Sequence, residues 1–301
     1  MIILETNHLD KSYGPVHAVN NLSLRVEQGQ VYGILGPNGS GKTTTLSMLM
    51  GIVRPDKGTF QWFGGATGPA ANRRIGALIE TPNFYPYLSL EQNLKVVCRI
   101  KGVDERDIQR VLKLVGLNDR WRSRFQTLSL GMKQRLALGS LLLGDPEVLV
   151  LDEVTNGLDP EGIAEVRNLI RQVASTGKTI ILASHILDEV EKVCTHVVIL
   201  KKGHKLADGE VDKLIKGREA IIVSADDADV LSQALNGSTL VDSIDRDGNS
   251  FRVILKDGGK PGDLSKELMG QGVVLTRLEI QRNSLEEQFL ELVKQEETPK
   301  P

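Results

Sequence analysis

The sequence contains little cysteine and little net charge, and each shortage excludes a class of protein. Its two cysteines, Cys98 and Cys194, lie far apart in apolar segments and have no metal-ligand spacing. They indicate buried free thiols in a reducing compartment rather than a disulfide framework. The 37 basic and 39 acidic residues leave a net charge of −2. This balance is not typical of a nucleic-acid-binding surface or a polybasic membrane anchor.

Long apolar segments are also missing. The most apolar run, LALGSLLLG at residues 136–144, is much shorter than the roughly 20 residues that a membrane-spanning helix needs. The N-terminus has neither a basic segment nor a long apolar segment, so we do not interpret it as a signal peptide. We therefore expect a cytoplasmic protein, and a second chain would have to supply the membrane part of any membrane process.

The most informative segment that is present is a phosphate-binding loop. Residues 36–43 read GPNGSGKT, which is the pattern G-x-x-x-x-G-K-[ST]. The apolar residues 31–35 before it predict a strand, and the sequence from Thr44 onward predicts a helix. This context argues against the alternative, a glycine turn without a ligand. The residues that we expect at the nucleotide are Gly36, Pro37, Asn38, Gly39, Ser40, Gly41, Lys42, Thr43 and Thr44.

The chemistry of a phosphate site explains the residue types in this loop. Glycines allow the backbone to bend so that several N–H groups face one anion. The N-terminus of the following helix adds its partial positive charge at the same point. We expect Lys42 to reach the β and γ phosphates of ATP, and the Thr43 hydroxyl to bind Mg²⁺.

Two further apolar segments end in polar residues. Residues 148–151 are followed by Asp152 and Glu153, and the strand-like segment 178–184 is followed by His185. Strands alternating with helices predict a parallel sheet whose functional residues lie at the carboxyl ends of the strands. Alone, an Asp-Glu pair after a strand is more often a solvated strand end. Next to a phosphate loop, it indicates a Mg²⁺ ligand, Asp152, and a residue that polarises water, Glu153.

The remaining segments indicate three more regions. Residues 1–24 predict an antiparallel hairpin, and residues 84–144 are mainly helical, with a helix starting near Ser129. Beyond a boundary after residue 216, the pattern β-α-β-β-α-β predicts a small ferredoxin-like α+β domain. We thus expect an ATP-binding domain at 1–216 and an accessory domain, without a catalytic constellation, at 217–301.

The order of the motifs resembles the ATPase subunit of an ABC transporter over roughly residues 2–215. It runs from Tyr13 through GPNGSGKT, LSLGMKQR and VLVLDEVTNGLDP to ASH. The resemblance implies an α/β P-loop NTPase core of the ABC type, with an antiparallel β subdomain and a helical subdomain at about 84–144. It also implies that the chain binds and hydrolyses ATP with Mg²⁺.

The same resemblance implies roles for single residues. Tyr13 would stack on adenine, although an exposed aromatic residue there also fits a simple turn. Ser129 and Gly131 lie in the signature segment, which in the family closes over the nucleotide of the opposite subunit; the alternative for Ser129 is a helix cap. Asp159 matches the D-loop aspartate, and His185 matches the switch histidine that contacts the γ phosphate.

The sequence departs from the family pattern at three places. Leu130 and Met132 stand where the signature usually has Gly and Gln, and Val154 stands where Pro is common. Glu80 occupies the position of the Q-loop glutamine, where a carboxylate oxygen can also bind Mg²⁺. By analogy, Glu80 and the accessory domain make the chain look more like the ATPases of exporters of drugs, peptides or ions, including bacitracin-type exporters. They make it look less like the ATPases of nutrient importers.

The resemblance implies a subunit that powers a separate membrane permease from the inner face of the cell membrane. It would work as a homodimer, or paired with a second ATPase subunit, with two ATP molecules sandwiched and no nucleic acid bound. One alternative is a soluble ABC-type ATPase of DNA repair or translation. Family members with those roles carry coiled coils, zinc modules or two ATPase cassettes, and this sequence shows none of these features. Another is a nucleotide-binding regulator without turnover, against which Glu153 and His185 argue.

Overall fold

A computed structural model gives the fold in two compact units, Met1–Val211 and Asp212–Pro301. The two units are described separately. The predicted domain boundary after residue 216 lies outside the described residues and stays a prediction. The structure describes residues 1–66, 68–79, 83–215, 220–256, 258–281, 285, 286 and 289.

The first unit alternates strands and helices as the apolar patterns predict. The predicted hairpin at the N-terminus is confirmed, and both cysteines are buried free thiols. The strands are β1 (Ile2–Tyr13), β2 (Val16–Leu22), β3 (Arg25–Glu27), β4 (Val31–Leu35), β5 (Lys57–Trp62), β6 (Ile75–Leu78), β7 (Val148–Asp152), β8 (Thr179–Ser184), β9 (His196–Lys201) and β10 (His204–Glu210). The helices are α1 (Lys42–Leu49), α2 (Pro69–Asn72), α3 (Leu90–Lys101), α4 (Asp107–Leu114), α5 (Leu130–Leu142), α6 (Pro160–Ala174) and α7 (Leu187–Val193).

The central sheet of this unit has the order β10-β9-β4-β8-β7-β6. All neighbours are parallel except β10, which is antiparallel to β9. Every residue of β4, β7 and β8 is buried, as expected for apolar strands covered on both faces. Because these three strands run in the same direction, the residues that follow them meet at one edge of the sheet.

A second, antiparallel sheet contains β1, β2, β3 and β5, with β1 pairing all three others. Its apolar side chains join those of the central sheet and of α1 in one core, which includes Leu4, Trp62, Ile34 and Leu46. The Trp62 indole N–H donates to the Leu49 carbonyl at 3.0 Å, which satisfies the one polar group of a fully buried ring. The strand before the phosphate loop and the helix after it are therefore both anchored in this core.

Helices α3, α4 and α5 form the helical segment predicted at 84–144. The capping box at the start of α3 is confirmed: Ser89 accepts from the Gln92 N–H, and the Gln92 side chain accepts from the Ser89 N–H. The predicted start of a helix near Ser129 is also confirmed, since α5 begins at Leu130. Two short 3-10 turns, Asn118–Arg120 and Phe125–Thr127, connect α4 to α5.

The second unit has a sheet with the order β12-β13-β11-β14, in which all neighbours are antiparallel. The predicted β-α-β-β-α-β order is confirmed, whereas the ferredoxin-like classification stays a prediction. Within the described parts of the chain, no helix is both long and apolar enough to cross a bilayer. After the short helix α8 (Val211–Ile215), the elements are β11 (Ala220–Ala225), α9 (Ala228–Gly237), β12 (Val241–Asp247), β13 (Ser250–Leu255), α10 (Pro261–Gly270) and β14 (Leu275–Gln281).

Candidate functional site

The loop between β4 and α1 has a conformation that its glycines make possible. Gly36, Gly39 and Gly41 have φ values of 153°, 80° and 104°, which L-residues with side chains rarely adopt. A Cβ atom on Gly41 would lie 2.2 Å from the Ala18 carbonyl oxygen. One on Gly36 would lie 2.2 Å from the Leu200 carbonyl oxygen. The loop is thus held tightly between two strands, with its backbone turned toward the cleft described below.

The start of α1 is prepared for an anion. Gly41 occupies the N-cap position and has no side chain to accept a hydrogen bond from the first turn. Among the described residues, the hydroxyl of the buried Ser40 has no hydrogen-bond partner. Lys42 is 5% exposed, and its ammonium donates to the carbonyls of Gly36 at 2.8 Å and Pro37 at 3.2 Å. An uncapped helix start, an unpartnered hydroxyl and a buried cation together suit a phosphate group.

Glu153 lies beside this cation. It follows the last residue of β7 with a φ of 48°, a left-handed conformation that is costly for a residue with a side chain. Its N–H donates to the Ala183 carbonyl at 3.0 Å, which holds the strained residue against β8. One carboxylate oxygen lies 2.7 Å from His185 Nδ1, and the other lies 3.3 Å from Lys42 Nζ. The structure thus brings together three residues from three different strand ends.

These residues line a cleft of about 380 Å³. Three of its lining residues, Val16, Ala18 and Asn156, were missed by sequence reasoning. Asn156 lies in the turn-rich loop after Glu153, which was a usable signal, whereas nothing local marks Val16 or Ala18. The residues lining the cleft are Val16, Ala18, Asn38, Gly39, Gly41, Lys42, Thr43, Thr44, Glu153, Asn156 and His185.

Tyr13 is not among the described residues that line this cleft. It is the last residue of β1, is 49% exposed and is paired in the hairpin with Val16, which does line the cleft. The Lys11 ammonium lies 5.5 Å from the centre of the Tyr13 ring. The ring is therefore accessible next to the cleft, and its role as the adenine contact stays a prediction.

The residues predicted to bind Mg²⁺ have the right donor chemistry. Thr43 lines the cleft, and Asp152 is a buried carboxylate at the end of β7. Hydroxyl and carboxylate oxygens suit Mg²⁺, which usually keeps several water and phosphate ligands besides one or two protein oxygens. The third predicted ligand, Glu80, lies outside the described residues.

The signature residues line a second cleft, of about 450 Å³. Ser129 caps α5 by accepting from the Met132 N–H at 3.3 Å, and Asp159 caps α6 by accepting from the Gly162 N–H at 2.9 Å. The helix-cap alternative for Ser129 is thus observed, and its contact with a nucleotide stays a prediction. The cleft is lined by Ser129, Leu130, Gly131, Met132, Arg135, Gly157, Leu158, Asp159, Glu161, Gly162 and Glu165.

Comparison with known proteins agrees with this arrangement. The family profile described as "ABC transporter" matches residues 19–156. The bacitracin transport ATP-binding protein BcrA of Bacillus licheniformis is 35% identical over 297 residues, which cover 97% of each chain. The lantibiotic transport ATP-binding protein SrtF of Streptococcus pyogenes is 40% identical over 210 residues, covering 70% of this chain and 92% of that one.

A solved structure gives the same result for the fold. CbiO1 of Clostridium perfringens, part of an ABC transporter complex, matches with a TM-score of 0.65 and 28% identity over 71% of this chain and 90% of that one. The likeness to BcrA spans nearly the whole of both chains, and the matching family profile includes the phosphate loop, Asp152 and Glu153. The chain therefore belongs to the ABC transporter ATP-binding proteins, a family of ATP-hydrolysing enzymes.

Proposed function

We propose that this chain hydrolyses ATP to drive a separate membrane permease that exports a drug or peptide. The observation that carries the proposal is the position of Glu153, 2.7 Å from His185 and 3.3 Å from Lys42, at the mouth of the phosphate-loop cleft. A carboxylate there is well placed to receive a proton from water attacking a phosphate held by the loop. The names of the relatives, for bacitracin and lantibiotic transport, support the class of cargo.

In this proposal, ATP binds to polar groups that, among the described residues, make only weak hydrogen bonds or none. Lys42 exchanges its two carbonyl acceptors for phosphate oxygens, which makes stronger, charge-assisted hydrogen bonds. The uncapped N–H groups at the start of α1 and the Ser40 hydroxyl also turn to the phosphates. Tyr13 stacks on the adenine ring from the neighbouring hairpin.

Thr43, Asp152 and Glu80 would hold Mg²⁺ beside the bound nucleotide. The metal supplies charge neutralisation at the phosphate oxygens during transfer. The protein groups position these oxygens relative to the water that attacks them.

Hydrolysis then depends on Glu153 and His185. When Lys42 turns to the phosphates, the Glu153 oxygen that faced it can accept a hydrogen bond from the attacking water. The water oxygen forms the new bond to the γ phosphorus, the bond to ADP breaks, and the proton moves to Glu153. His185 holds the other Glu153 oxygen and reaches the γ phosphate, so it couples the base to the substrate.

The second cleft supplies the reason for a dimer. Ser129, Gly131 and Asp159 would close over the nucleotide of an opposite subunit, which gives a homodimer or a pair with a second ATPase subunit around two ATP molecules. Closing on ATP and opening after hydrolysis would move a permease bound at the inner face of the membrane. No nucleic acid takes part.

The proposal is tested by ATP hydrolysis and binding in Glu153→Gln. We expect the turnover of the purified chain to fall at least ~10²-fold, while MgATP binding is kept and an ATP-bound dimer accumulates. Glu105→Gln is a matched control, because Glu105 is a partly exposed carboxylate in the turn between α3 and α4 that pairs with Arg99 and does not line the cleft. Turnover of Glu153→Gln at the wild-type rate would remove Glu153 from the mechanism.

The permease is tested separately, by co-expressing this chain with any multi-helix membrane protein whose gene is found next to its own. We expect the two to purify together in detergent, with ATP hydrolysis that Glu153→Gln abolishes. An active ATPase that never enters such a complex would favour a role outside transport.

A further inference from the structure

β14 forms one edge of the sheet in the second unit, and one of its two faces is exposed and apolar. Leu278 is 38% exposed and Ile280 is 48% exposed. They lie directly opposite Val223 and Ile221 of β11, and opposed residues of paired strands share a face of the sheet. Helices α9 and α10 cover that face, because Ile221 and Val223 are fully buried in one cluster with the leucines of these two helices. The apolar face therefore continues past the covering helices onto β14.

The opposite edge of the same sheet is protected. The outer strand there, β12, has the sequence VDSIDRD, and its charged residues are exposed. Charged side chains on an edge strand discourage pairing with another strand. On β14, the side of the strand shared by Thr276, Leu278 and Ile280 carries no charge. Within the described part of the chain, β14 has no strand on its outer side.

The other side of β14 carries one charge of each sign. Arg277 and Glu279 are more than half exposed and form an ion pair with each other, with Arg277 Nε 3.0 Å from a Glu279 oxygen. They flank Leu278 symmetrically. A strand with this order, Arg-Leu-Glu, is complementary to itself when it runs antiparallel to a second copy.

The register of such a pairing follows from the period of a strand. Opposed residues must share a face, so the twofold axis passes through a residue and not through a peptide bond. Centring on Arg277 would oppose two arginines, and centring on Glu279 would oppose two glutamates, both of which are destabilising. Centring on Leu278 opposes the two leucines and places each Arg277 opposite Glu279 of the second copy.

We propose that two copies of this chain pair edge to edge through β14, antiparallel and centred on Leu278, to form one continuous eight-stranded sheet. The pairing needs no nucleotide, so it is independent of the proposed function and of the ATP-bound dimer. It satisfies the outer backbone groups of β14 and removes Leu278 and Ile280 from water. A surface of this kind is isologous, because the same residues contribute from both copies.

Charge reversal tests the register in the full-length, nucleotide-free chain. Arg277→Glu and Glu279→Arg should each raise the dissociation constant of the dimer about tenfold or more, because each creates two like-charged pairs. The double variant should restore dimerisation. Arg246→Glu on β12 is the matched control and should leave the dimer unchanged. Thermal unfolding establishes that each variant is folded, and sedimentation measures the dimer.

Cysteine cross-linking tests the same register without changing charge. Under oxidising conditions, Leu278→Cys should form a covalent dimer, because the two positions face each other. Thr276→Cys should not, since its two copies would lie about 13 Å apart along the strands. The native cysteines do not interfere, because both are buried.

Three results would overturn the proposal: a nucleotide-free chain that stays monomeric, single charge reversals that leave the dimer intact, or equal cross-linking at 276 and 278. A monomer that becomes a dimer on removal of residues 282–301 would also overturn it, because the chain's own terminal segment would then be the occupant of the edge.

Discussion

The two clefts of the first unit both lie at helix N-termini, but they differ in whether a side chain accepts hydrogen bonds from the N–H groups of the first turn. α1 starts at Gly41 without a side-chain cap, and the Lys42 ammonium beside it contacts two carbonyls and Glu153 among the described residues. α5 and α6 start with side-chain caps, Ser129 and Asp159. The first cleft has donors available for a ligand. In the second cleft, the side chains of Ser129 and Asp159 already accept hydrogen bonds from these helix starts, so under the proposed function it would act only on a nucleotide held by another subunit.

The largest expected effect is that of a side chain placed in the uncapped turn. Gly41→Ala combines an unfavourable φ with a 2.2 Å approach to the Ala18 carbonyl, so we expect a loss of about 3 kcal/mol or more in the free energy of unfolding. ATP binding should be lost as well. Gly39→Ala is the matched control: its Cβ meets nothing within 4 Å, and it should cost about 1 kcal/mol. Urea unfolding compares the two, and equal losses would contradict the tight-loop account.

The next effect is that of removing the cation from the first cleft. Lys42→Ala should weaken MgATP binding about 10²-fold, because a buried charge-assisted contact with phosphate is lost. Lys133→Ala, on the capped helix α5, should leave the affinity of the monomer unchanged. Calorimetric titration with MgATP measures both affinities. A similar loss of affinity in the two variants would contradict the proposed difference between the clefts.

A smaller effect concerns the hairpin beside the first cleft. Tyr13→Ala should weaken ATP binding by about 1–3 kcal/mol, the usual contribution of an aromatic ring stacked on a base. Tyr13→Phe should be nearly silent, because the ring face is kept. If the alanine variant binds ATP as the wild type does, Tyr13 is a turn residue.

The smallest effect separates capping from catalysis. Ser129→Ala and Ser89→Ala each remove a serine N-cap, of α5 and α3, and each should lower the free energy of unfolding by about 1 kcal/mol. Only Ser129→Ala should also slow ATP hydrolysis at saturating ATP, with MgATP binding to the monomer unchanged. An unaltered rate would leave Ser129 as a cap alone.

Features that depend on neighbouring residues were predictable from the sequence. The loop 36–43, the Ser89–Gln92 capping box and the positions after β7 and β8 follow from local pattern and from the direction of parallel strands. Val16 and Ala18 were not predictable as cleft residues, because their place depends on how the hairpin packs against the loop. The apolar edge of β14 was hidden for the same reason: LTRLEI predicts a strand but not which strand of the sheet is outermost.

The sequence by itself determined the phosphate loop, the alternation of strands and helices and the family to which the chain belongs. Each of these depends on residue types at short, fixed spacings. Tertiary structure alone decided that Glu153 contacts both Lys42 and His185, and that Gly41 faces the Ala18 carbonyl. Glu153 lies 32 positions from His185 and 111 from Lys42 along the chain, and they meet because the order of strands in the central sheet, which no local pattern encodes, brings the strand ends together.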